Sequence, residues 1–366
     1  NEKIEKNPDK NCLKKINQNA NPFLKQNIKE LRNIFKKYKE IFRKKYKNSK
    51  EENEKFSIFY INLKNIDLLN SKILKKFPKA NKVFGINKFS DMSYTDFKKT
   101  HMNLNLKRGK NIGNLEKLLK NSKKNINKND SVNFLQIKKN FKENKQSTTF
   151  GDIINYNKLG YLTKVKNQHN CGGCWAFSAI ANFEAQFAIK HKELIYLSEQ
   201  QLIDCIAENN GCISGEINYA FYYGKYKGYE KSSIYPFFGS QQICKYNENE
   251  IYGQIYDYAS YYDLSEDKML NIFVSFGPFS IMINADLLKN YYEGIISLPS
   301  SYLDCKDEKI NHSVIIVGYG ISEFQGYYWI LKNSWGEEFG ENGYFRIAMG
   351  GNVMCVTKYS VFVDPY

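Results

Sequence analysis

The chain has 366 residues, enough for two or three domains, and its hydrophobic fraction of 42% excludes a fully disordered protein. The net charge of +16 is unevenly distributed. Residues 1–149 contain 38 Lys+Arg and 14 Asp+Glu, a net charge of +24, whereas residues 150–366 have a net charge of −8. This break in charge predicts a boundary between two functional units. The basic half has no zinc-finger spacing and no RNA-binding aromatic signature, so we expect no nucleic-acid partner.

The basic half begins with a polar stretch and continues with two predicted helices. Residues 1–24 are rich in Asn and Lys, which predicts a disordered segment. Residues 26–47 place apolar side chains at the spacing of an amphipathic helix, and a second helix is predicted from Glu51 to about Leu74. Residues 103–149 are again rich in Asn and Lys, which predicts an extended or loosely helical connector with a glycosylation sequon at Asn129.

The acidic half changes from helical to β-rich patterns along the chain. Helices are predicted from Trp175 to about Lys190 and over Ser198–Cys205. From Ala259 onward β-rich segments dominate, including Phe279–Ile283, Val314–Gly318, Tyr327–Lys332 and Tyr344–Ile347. A helical lobe followed by a β-rich lobe predicts a functional cleft between the two.

Three short motifs of the acidic half supply a thiol, an imidazole and a carboxamide. They are Cys171-Gly172-Gly173-Cys174-Trp175, Asn311-His312-Ser313 and Asn333-Ser334-Trp335-Gly336. His312 and Asn333 follow Cys174 by 138 and 159 residues. The pattern resembles that of the papain-like cysteine proteases, in which His and Asn follow the nucleophile by about 130–150 residues. Gly173 departs from the family pattern, which has Ser or Ala before the nucleophile.

The second predicted helix resembles the propeptide of cathepsin L-like proteases. Its motif residues are Glu51, Lys55, Ile58, Phe59, Asn62, Ile66 and Asn70, with Lys55 in place of the usual Arg, and a second motif follows at Gly85, Asn87, Phe89 and Asp91. The alternative is a free helical hairpin. The resemblance implies an α+β fold, with a two-lobed papain-like domain preceded by a helical propeptide. The expected divisions are a disordered segment over 1–24, an inhibitory domain over 25–102, a linker through the cleft over 103–149 and a peptidase domain over 150–366.

The resemblance implies a catalytic role for four side chains. Cys174 is the expected nucleophile, and a helix N-terminus together with an imidazolium at His312 would lower the pKa of its thiol. Asn333 would orient the imidazole, Trp335 would shield their hydrogen bond, and Gln168 would contribute to an oxyanion hole. The competing interpretation is a redox or zinc site, because Cys171 and Cys174 form a Cys-x-x-Cys pair, although zinc needs further nearby ligands.

The resemblance also implies a substrate cleft and three disulfides. Gly215 would pair with an extended substrate backbone, and Trp335 would line the cleft. The pocket for the second residue before the cut (P2) would be formed by Ile217, Ala285, Ile310 and Ser360, which predicts Leu, Val or Phe there. Six cysteines remain beside Cys174 in the acidic half, an even number typical of an oxidising compartment. The residues alone allow 15 pairings, and the family implies Cys171–Cys212, Cys205–Cys244 and Cys305–Cys355.

The predicted function is that of a cysteine endopeptidase made as a zymogen and cut near residues 145–150. We expect no metal and no cofactor. Expected partners are protein and peptide substrates, the propeptide as intramolecular inhibitor and cystatin-like inhibitors, and the chain is expected to be a monomer. The expected location is the secretory pathway, in an acidic lysosome-like compartment or digestive vacuole, or outside the cell. The alternative is a catalytically weak or inactive protease-like binding or inhibitor protein.

Overall fold

The computed structural model describes residues 10–18, 22–102, 104, 106, 108–122, 150–298 and 300–366. The helices are α1 (Lys10–Asn17), α2 (Ile28–Ile41), α3 (Ser49–Lys76), α4 (Tyr94–His101), α5 (Leu115–Ser122), α6 (Cys174–His191), α7 (Glu199–Cys205), α8 (Ile217–Tyr226) and α9 (Glu266–Phe276). No helix in the described ranges is long and apolar enough to cross a membrane. The sequon at Asn129 and residues 145–149 of the expected cleavage region lie outside the described residues.

Helices α2 and α3 form the hairpin on which the basic half is built. The side chain of Asn27 caps α2 in a capping box with Glu30, and Asn48 caps α3. The two helices pack through aromatic rings, with Phe35 centred 5.1 Å from Phe59. Both predicted helices are confirmed, although α2 ends at Ile41 rather than at residue 47 because the chain turns at Arg43, whose φ is 50°.

Helix α1 corrects the prediction of disorder for the part of residues 1–24 that it covers. Residues 10–17 form a helix whose Leu13 and Asn17 are buried against the rest of the basic half. The Asn17 side chain bonds the backbone of Ile86, 69 residues further along the chain. Composition suggested disorder because a short Lys-rich helix is unstable by itself, and here a distant partner supplies the stabilising contacts.

The segment from Val83 to Asn87 attaches the basic half to the acidic half. Phe84 forms an isolated antiparallel bridge with Tyr291, and the Gly85 N–H donates to the Asn290 carbonyl at 2.9 Å. The Asn87 side-chain amide donates to the carbonyls of Lys289 and Tyr291 in the same segment of the acidic half. Backbone pairing of this kind adds a short strand to an existing surface and fixes its register.

The described part of the linker runs over the acidic half after α4. Leu104 donates its backbone N–H to the Asn311 carbonyl at 3.2 Å, beside His312. Ile112 then pairs with Ser260, and α5 packs against the strand that contains Ser260. Leu104 therefore lies beside the residue that precedes His312, and the linker becomes helical further on, at α5.

The acidic half contains a helical lobe and a sheet lobe. The strands are β1 (Gly151–Asn155), β2 (Tyr229–Glu230), β3 (Ile251–Gly253), β4 (Ile255–Tyr262), β5 (Phe279–Ile283), β6 (Ile295–Ile296), β7 (His312–Ser322), β8 (Gly326–Lys332), β9 (Tyr344–Ala348) and β10 (Tyr359–Pro365). Eight of them form one sheet in the order β4-β10-β5-β7-β8-β9-β6, with β1 paired to β7. The predicted β segments are confirmed, and the fold is α+β and two-lobed, as expected.

Helix α6 joins the two lobes. Nearly all of its length is buried. The side chain of Asn182 donates to Ser280 Oγ on β5 and to the Val361 carbonyl on β10. One turn after Cys174, the Ser178 hydroxyl donates to the Val314 carbonyl on β7 at 3.0 Å. These bonds hold the start of α6 against the start of β7, where Cys174 and His312 are located.

Candidate active site

Cys174 is the first residue of α6 and is fully buried. It is one of two cysteines without a disulfide in the described part of the chain, the other being Cys12. The backbone amides of Ser313, Trp175 and Cys174 itself act on the thiol and favour its ionised form. The thiol therefore lies at a helix N-terminus and beside the residue that follows His312.

His312 and Asn333 are joined by a buried hydrogen bond of 2.8 Å between Nε2 and Oδ1. The amide oxygen can only accept, so Nε2 carries the hydrogen and Nδ1 of the neutral ring has a free lone pair. Asn333 Oδ1 also accepts from the Ser334 N–H, which fixes the amide orientation. Among the described residues, His312 Nδ1 has no hydrogen-bond partner, as a nitrogen that receives a proton requires.

Trp335 packs over this hydrogen bond. Its ring lies 4.7 Å from the His312 ring at an interplanar angle of 32° and is fully buried. Burial of this kind keeps water from competing for the bond between His312 and Asn333. Phe339 also meets the Trp335 ring edge-on, at a centroid distance of 4.9 Å.

The pKa shifts of the Cys174 thiol and the His312 imidazole favour the neutral form of both groups near pH 7. Burial raises the pKa of Cys174 to about 12, more than the surrounding amides lower it. Burial also lowers the pKa of His312 to about 4, although the bond to Asn333 acts in the opposite direction. The sequence predicted a lowered thiol pKa. The difference arises because burial disfavours the charged form of each group and outweighs the hydrogen bonds that would favour it.

Gln168 lies six residues before Cys174, and hydrogen bonds hold both its backbone and its side-chain amide. Its backbone N–H donates to the Ser334 carbonyl, and its side-chain oxygen accepts from the Ser334 hydroxyl at 2.6 Å. Its Nε2 donates to the Cys171 carbonyl at 2.9 Å, which leaves one further N–H on that amide nitrogen. The arrangement fixes which end of the amide is the donor and keeps that donor next to the turn that leads to Cys174.

Side chains of the basic half cover the site. The rings of Phe89, Phe97 and His101 meet Trp335 edge-on at centroid distances of 5.8, 5.3 and 5.5 Å. Lys88 donates from Nζ to the Trp335 carbonyl at 2.6 Å. Sequence reasoning identified Phe89 by its motif but missed the contacts of His101 and Lys88, since no local pattern distinguishes them from solvent-exposed residues.

The expected P2 pocket residues are buried but divide between two apolar clusters. Ile217 and Ile310 share one cluster with Leu104 and Leu106 of the linker, whereas Ala285 belongs to the other. The linker thus supplies leucines to the cluster that contains two of the pocket residues.

Ser360 and Gly215 are the remaining expected substrate contacts. Ser360 lies on β10 opposite Ile281, and its hydroxyl has no hydrogen-bond partner among the described residues. A Cβ on Gly215 would lie 2.6 Å from the Trp175 ring, so only glycine fits there. The backbone at position 215 can therefore lie this close to the Trp175 ring only because the residue is glycine.

The motif residues of the basic half make buried contacts. Asn62 donates to the Ser90 and Met92 carbonyls, and Asn70 bonds both Val83 and Phe84. Phe59 and Ile66 are buried on the same helix, Glu51 accepts from the Lys47 N–H, and Lys55 is half-buried. Together the two asparagines attach α3 to the segment that enters the acidic half.

Asp91 is the charged member of the second motif. Burial alone would raise the pKa of its carboxyl, but Lys44 and hydrogen bonds from Tyr38 and Tyr46 outweigh burial and lower that pKa. Lys44 Nζ lies 2.9 Å from the carboxylate, and Tyr38 donates to it at 2.7 Å. Asp91 is therefore ionised and fixes the end of α2 against the second motif.

Three disulfides link Cys171 to Cys212, Cys205 to Cys244 and Cys305 to Cys355, which are the pairs that the resemblance implies. Because Cys171 is bonded to Cys212, the interpretation of Cys171 and Cys174 as a redox or zinc pair is wrong. The described residues contain no cluster of three His, Cys, Asp or Glu side chains that is arranged for a metal ion.

Comparisons with known proteins agree with this geometry. Residues 151–364 match the papain family cysteine protease model, and residues 35–97 match the cathepsin propeptide inhibitor domain. A viral cathepsin of Lymantria dispar multicapsid nuclear polyhedrosis virus is 32% identical over 328 residues, which are 89% of this chain and 83% of that protein.

Two solved structures are similar over most of the chain. A digestive procathepsin L2 proteinase from Tenebrio molitor larval midgut has a TM-score of 0.72 at 26% identity, covering 91% of this chain and 99% of that one. A recombinant stem bromelain precursor has a TM-score of 0.70 at 26% identity, covering 91% of this chain and 98% of that one. The chain therefore belongs to the papain family of cysteine proteases, and its peptidase domain is preceded by a cathepsin-type inhibitory propeptide.

Proposed function

We propose that this protein is the zymogen of a cysteine endopeptidase in which Cys174 is the nucleophile. The observation that carries the proposal is the buried bond between His312 and Asn333, which leaves His312 Nδ1 free at the start of β7, where the start of α6 holds Cys174. A thiol, a base with a defined tautomer and an amide that fixes the base are the parts required for nucleophilic catalysis.

In the proposed reaction, the Cys174 sulfur attacks the carbonyl carbon of the scissile peptide and its proton passes to His312 Nδ1. The carbonyl oxygen becomes an oxyanion, which accepts hydrogen bonds from the Cys174 backbone N–H and from the remaining Nε2 hydrogen of Gln168. Collapse breaks the C–N bond, and the imidazolium gives its proton to the departing amine. Water then hydrolyses the thioester, with His312 as general base, and releases the carboxylic acid and the free thiol.

The docked propeptide keeps the enzyme inactive by two means. Leu104, hydrogen-bonded to the Asn311 carbonyl, occupies the substrate path beside His312, and the rings of Phe89, Phe97 and His101 bury Trp335. The same burial keeps the thiol and imidazole neutral. Release of the propeptide readmits water and allows the thiolate–imidazolium pair to form, since burial is the largest cause of both pKa shifts.

The proposed substrate preference is Leu, Val or Phe at P2. It is supported by the cluster in which Ile217 and Ile310 are buried together with linker leucines at 104 and 106. An apolar substrate side chain would replace those leucines after activation. Ser360 would then be the polar member of an otherwise apolar pocket.

The proposed setting is the secretory pathway, in an acidic lysosome-like compartment or digestive vacuole, or outside the cell. Three disulfides in a peptidase domain of this size support an oxidising environment. We propose a monomer that acts on protein and peptide substrates and is open to cystatin-like inhibitors. The lack of a two-histidine loop in the helical-lobe sequence supports endopeptidase over dipeptide-removing activity.

Acid activation of the purified full chain tests the proposal. Wild type and Cys174→Ala are held at about pH 4–5 with a reductant, and both chain length and cleavage of a fluorogenic Leu-Arg peptide are followed. We expect wild type to shorten to a product of roughly 220 residues and to cleave the peptide, while Cys174→Ala does neither. A wild-type chain that is trimmed but does not cleave the peptide would favour the alternative of a non-catalytic binding protein.

A further inference from the structure

Helix α1 lies outside the part of the chain that matches the cathepsin propeptide inhibitor domain, which begins at residue 35. It nevertheless contacts both the propeptide and the enzyme. We propose that α1 is a separate inhibitory element, which clamps the segment from Val83 to Asn87 onto the enzyme. This inference rests on the proposed zymogen function.

The first support is the bond pattern of Asn17. Its Oδ1 accepts from the Ile86 N–H at 2.7 Å, and its Nδ2 donates to the Ile86 carbonyl at 3.1 Å. The side chain therefore pairs with a backbone unit as a neighbouring strand would. Asn17 and Ile86 are both buried, so loss of the side chain would leave two backbone groups without these partners.

The second support is the fit of Asn17 against Gly85. A Cβ on Gly85 would lie 2.6 Å from the Asn17 side chain, which is closer than real contacts allow. The backbone of Gly85 is not in the left-handed region, so the conformation itself admits other residues. Contact with α1 is thus the obstacle to a side chain at this motif position.

The third support is that the clamped segment is the one that pairs with the enzyme. Gly85 N–H donates to the Asn290 carbonyl, and Tyr292 N–H donates to the Val83 carbonyl at 3.0 Å. Asn17 thus binds Ile86, whereas Val83 and Gly85 of the same segment bond the enzyme. A bond from α1 to Ile86 and bonds from the enzyme to its neighbours stabilise the same extended conformation.

The fourth support is that α1 also reaches the enzyme directly. Gln18, just after the helix, donates to the Glu293 carboxylate at 3.1 Å. Lys14 of α1 lines a cavity together with Glu293, Glu338 and Glu341 of the enzyme. The helix has no acidic residue, so its charge complements that of this enzyme surface.

The clamp makes activation depend on α1. Substitution of Asn17 removes the bonds to Ile86 while the contacts of α2, α3 and α4 remain. Cleavage or dissociation of α1 would loosen the segment from Val83 to Asn87 before the rings over Trp335 separate. We therefore expect loss of α1 to be an early step of activation.

The test compares autoprocessing rates of full-length variants at one acidic pH. We expect Asn17→Ala to process about tenfold faster than wild type, as loss of roughly 1.4 kcal/mol of docking free energy predicts. Lys15→Ala, an exposed position on the same helix, is the matched control and should process at the wild-type rate. Gly85→Ala should also accelerate processing, but in an Asn17→Gly background the added methyl group should have little further effect.

A second readout does not require catalysis. In the inactive Cys174→Ala chain, Asn17→Ala should increase amide hydrogen exchange at residues 83–87 while exchange in α3 stays unchanged. Unchanged hydrogen exchange at residues 83–87 would overturn the proposal. So would an effect of Gly85→Ala on processing that is equally large in the wild-type and Asn17→Gly backgrounds. If wild type itself does not process, the proposed enzyme function fails, and hydrogen exchange still decides the role of α1.

Discussion

Replacement of His101 by Phe should make activation less sensitive to pH. His101 is buried at the end of α4, stacked on Phe97 at 5.0 Å and edge-on to Trp335 at 5.5 Å. Burial is the largest cause that lowers its pKa from 6.5 to about 3, and the nearby ammonium group of Lys88 acts in the same direction. Phenylalanine keeps the ring contacts and removes the titration.

The direction follows from where the proton binds. Above pH 6.5 His101 is neutral whether the propeptide is docked or released, so titration contributes nothing to the docking equilibrium. As the pH falls below 6.5, released His101 takes up a proton while docked His101 does not until about pH 3. Docking is therefore weakened progressively through this window, by about 2–3 kcal/mol at pH 4.5 if each pKa unit is worth about 1.36 kcal/mol.

His312 remains in the variant and acts in the same direction, since its pKa in the docked state is about 4. In a plot of the logarithm of the processing rate against pH, the slope for His101→Phe should therefore be smaller than that for wild type between pH 6.5 and pH 4. The difference should be about one, which corresponds to one proton. Wild type and His101→Phe release the same mature enzyme. The ratio of their processing rates at each pH therefore cancels the pH dependence of catalysis.

The assay follows disappearance of the full-length chain at half-unit steps of pH. We expect His101→Phe to be processed roughly a hundredfold more slowly than wild type at pH 4.5 and at a similar rate near pH 6.5. Phe97→Leu is the matched control, because it weakens the same ring cluster without a titratable group and should shift the rate equally at every pH. A His101→Phe to wild-type ratio that stays constant with pH would refute the argument.

Three further predictions concern the propeptide and the proposed oxyanion donor, Gln168. Gln168→Ala should lower kcat of the activated enzyme by about 10²–10³ with little change in KM, and a KM effect alone would contradict the role. Asn70→Ala should lower the melting temperature of the inactive Cys174→Ala zymogen, because it leaves the buried Val83 and Phe84 backbone groups without their partner; an unchanged melting temperature would contradict this. Salt between 0.05 and 0.5 M should change the processing rate only a fewfold at fixed pH, because the ion pairs of Arg108 with Asp263 and Asp307 are exposed, and a change of several hundredfold would show that charge attraction dominates docking.

The sequence was sufficient where a local pattern carries the information. The contexts of Cys174, His312 and Asn333 indicated the parts of the site, and the spacing of apolar residues indicated α3 and the strands. The structure adds how these residues meet, since a hydrogen bond joins His312 on β7 to Asn333, which lies 21 positions later and directly follows β8. The three disulfides could be proposed only through family resemblance, because residue spacing alone does not select among the pairings.

The sequence was insufficient where a distant contact decides the outcome. Helix α1 was expected to be disordered because its composition is polar, yet its buried face depends on the backbone of Ile86. The thiol pKa of Cys174 was expected to be low because the local helix favours an anion. Burial of the thiol in the folded chain reverses that shift, and no property of the local sequence reports it.

The central claim is that Cys174 is a catalytic nucleophile which the propeptide keeps buried and un-ionised. Its most direct test is mass spectrometry of the full chain after reaction with a peptide that carries a thiol-reactive electrophile, before and after acid activation. The account predicts no adduct on Cys174 in the intact zymogen and one adduct, on Cys174, in the activated enzyme. Equal labelling of Cys174 in both states, or no adduct on Cys174 after activation, would contradict it.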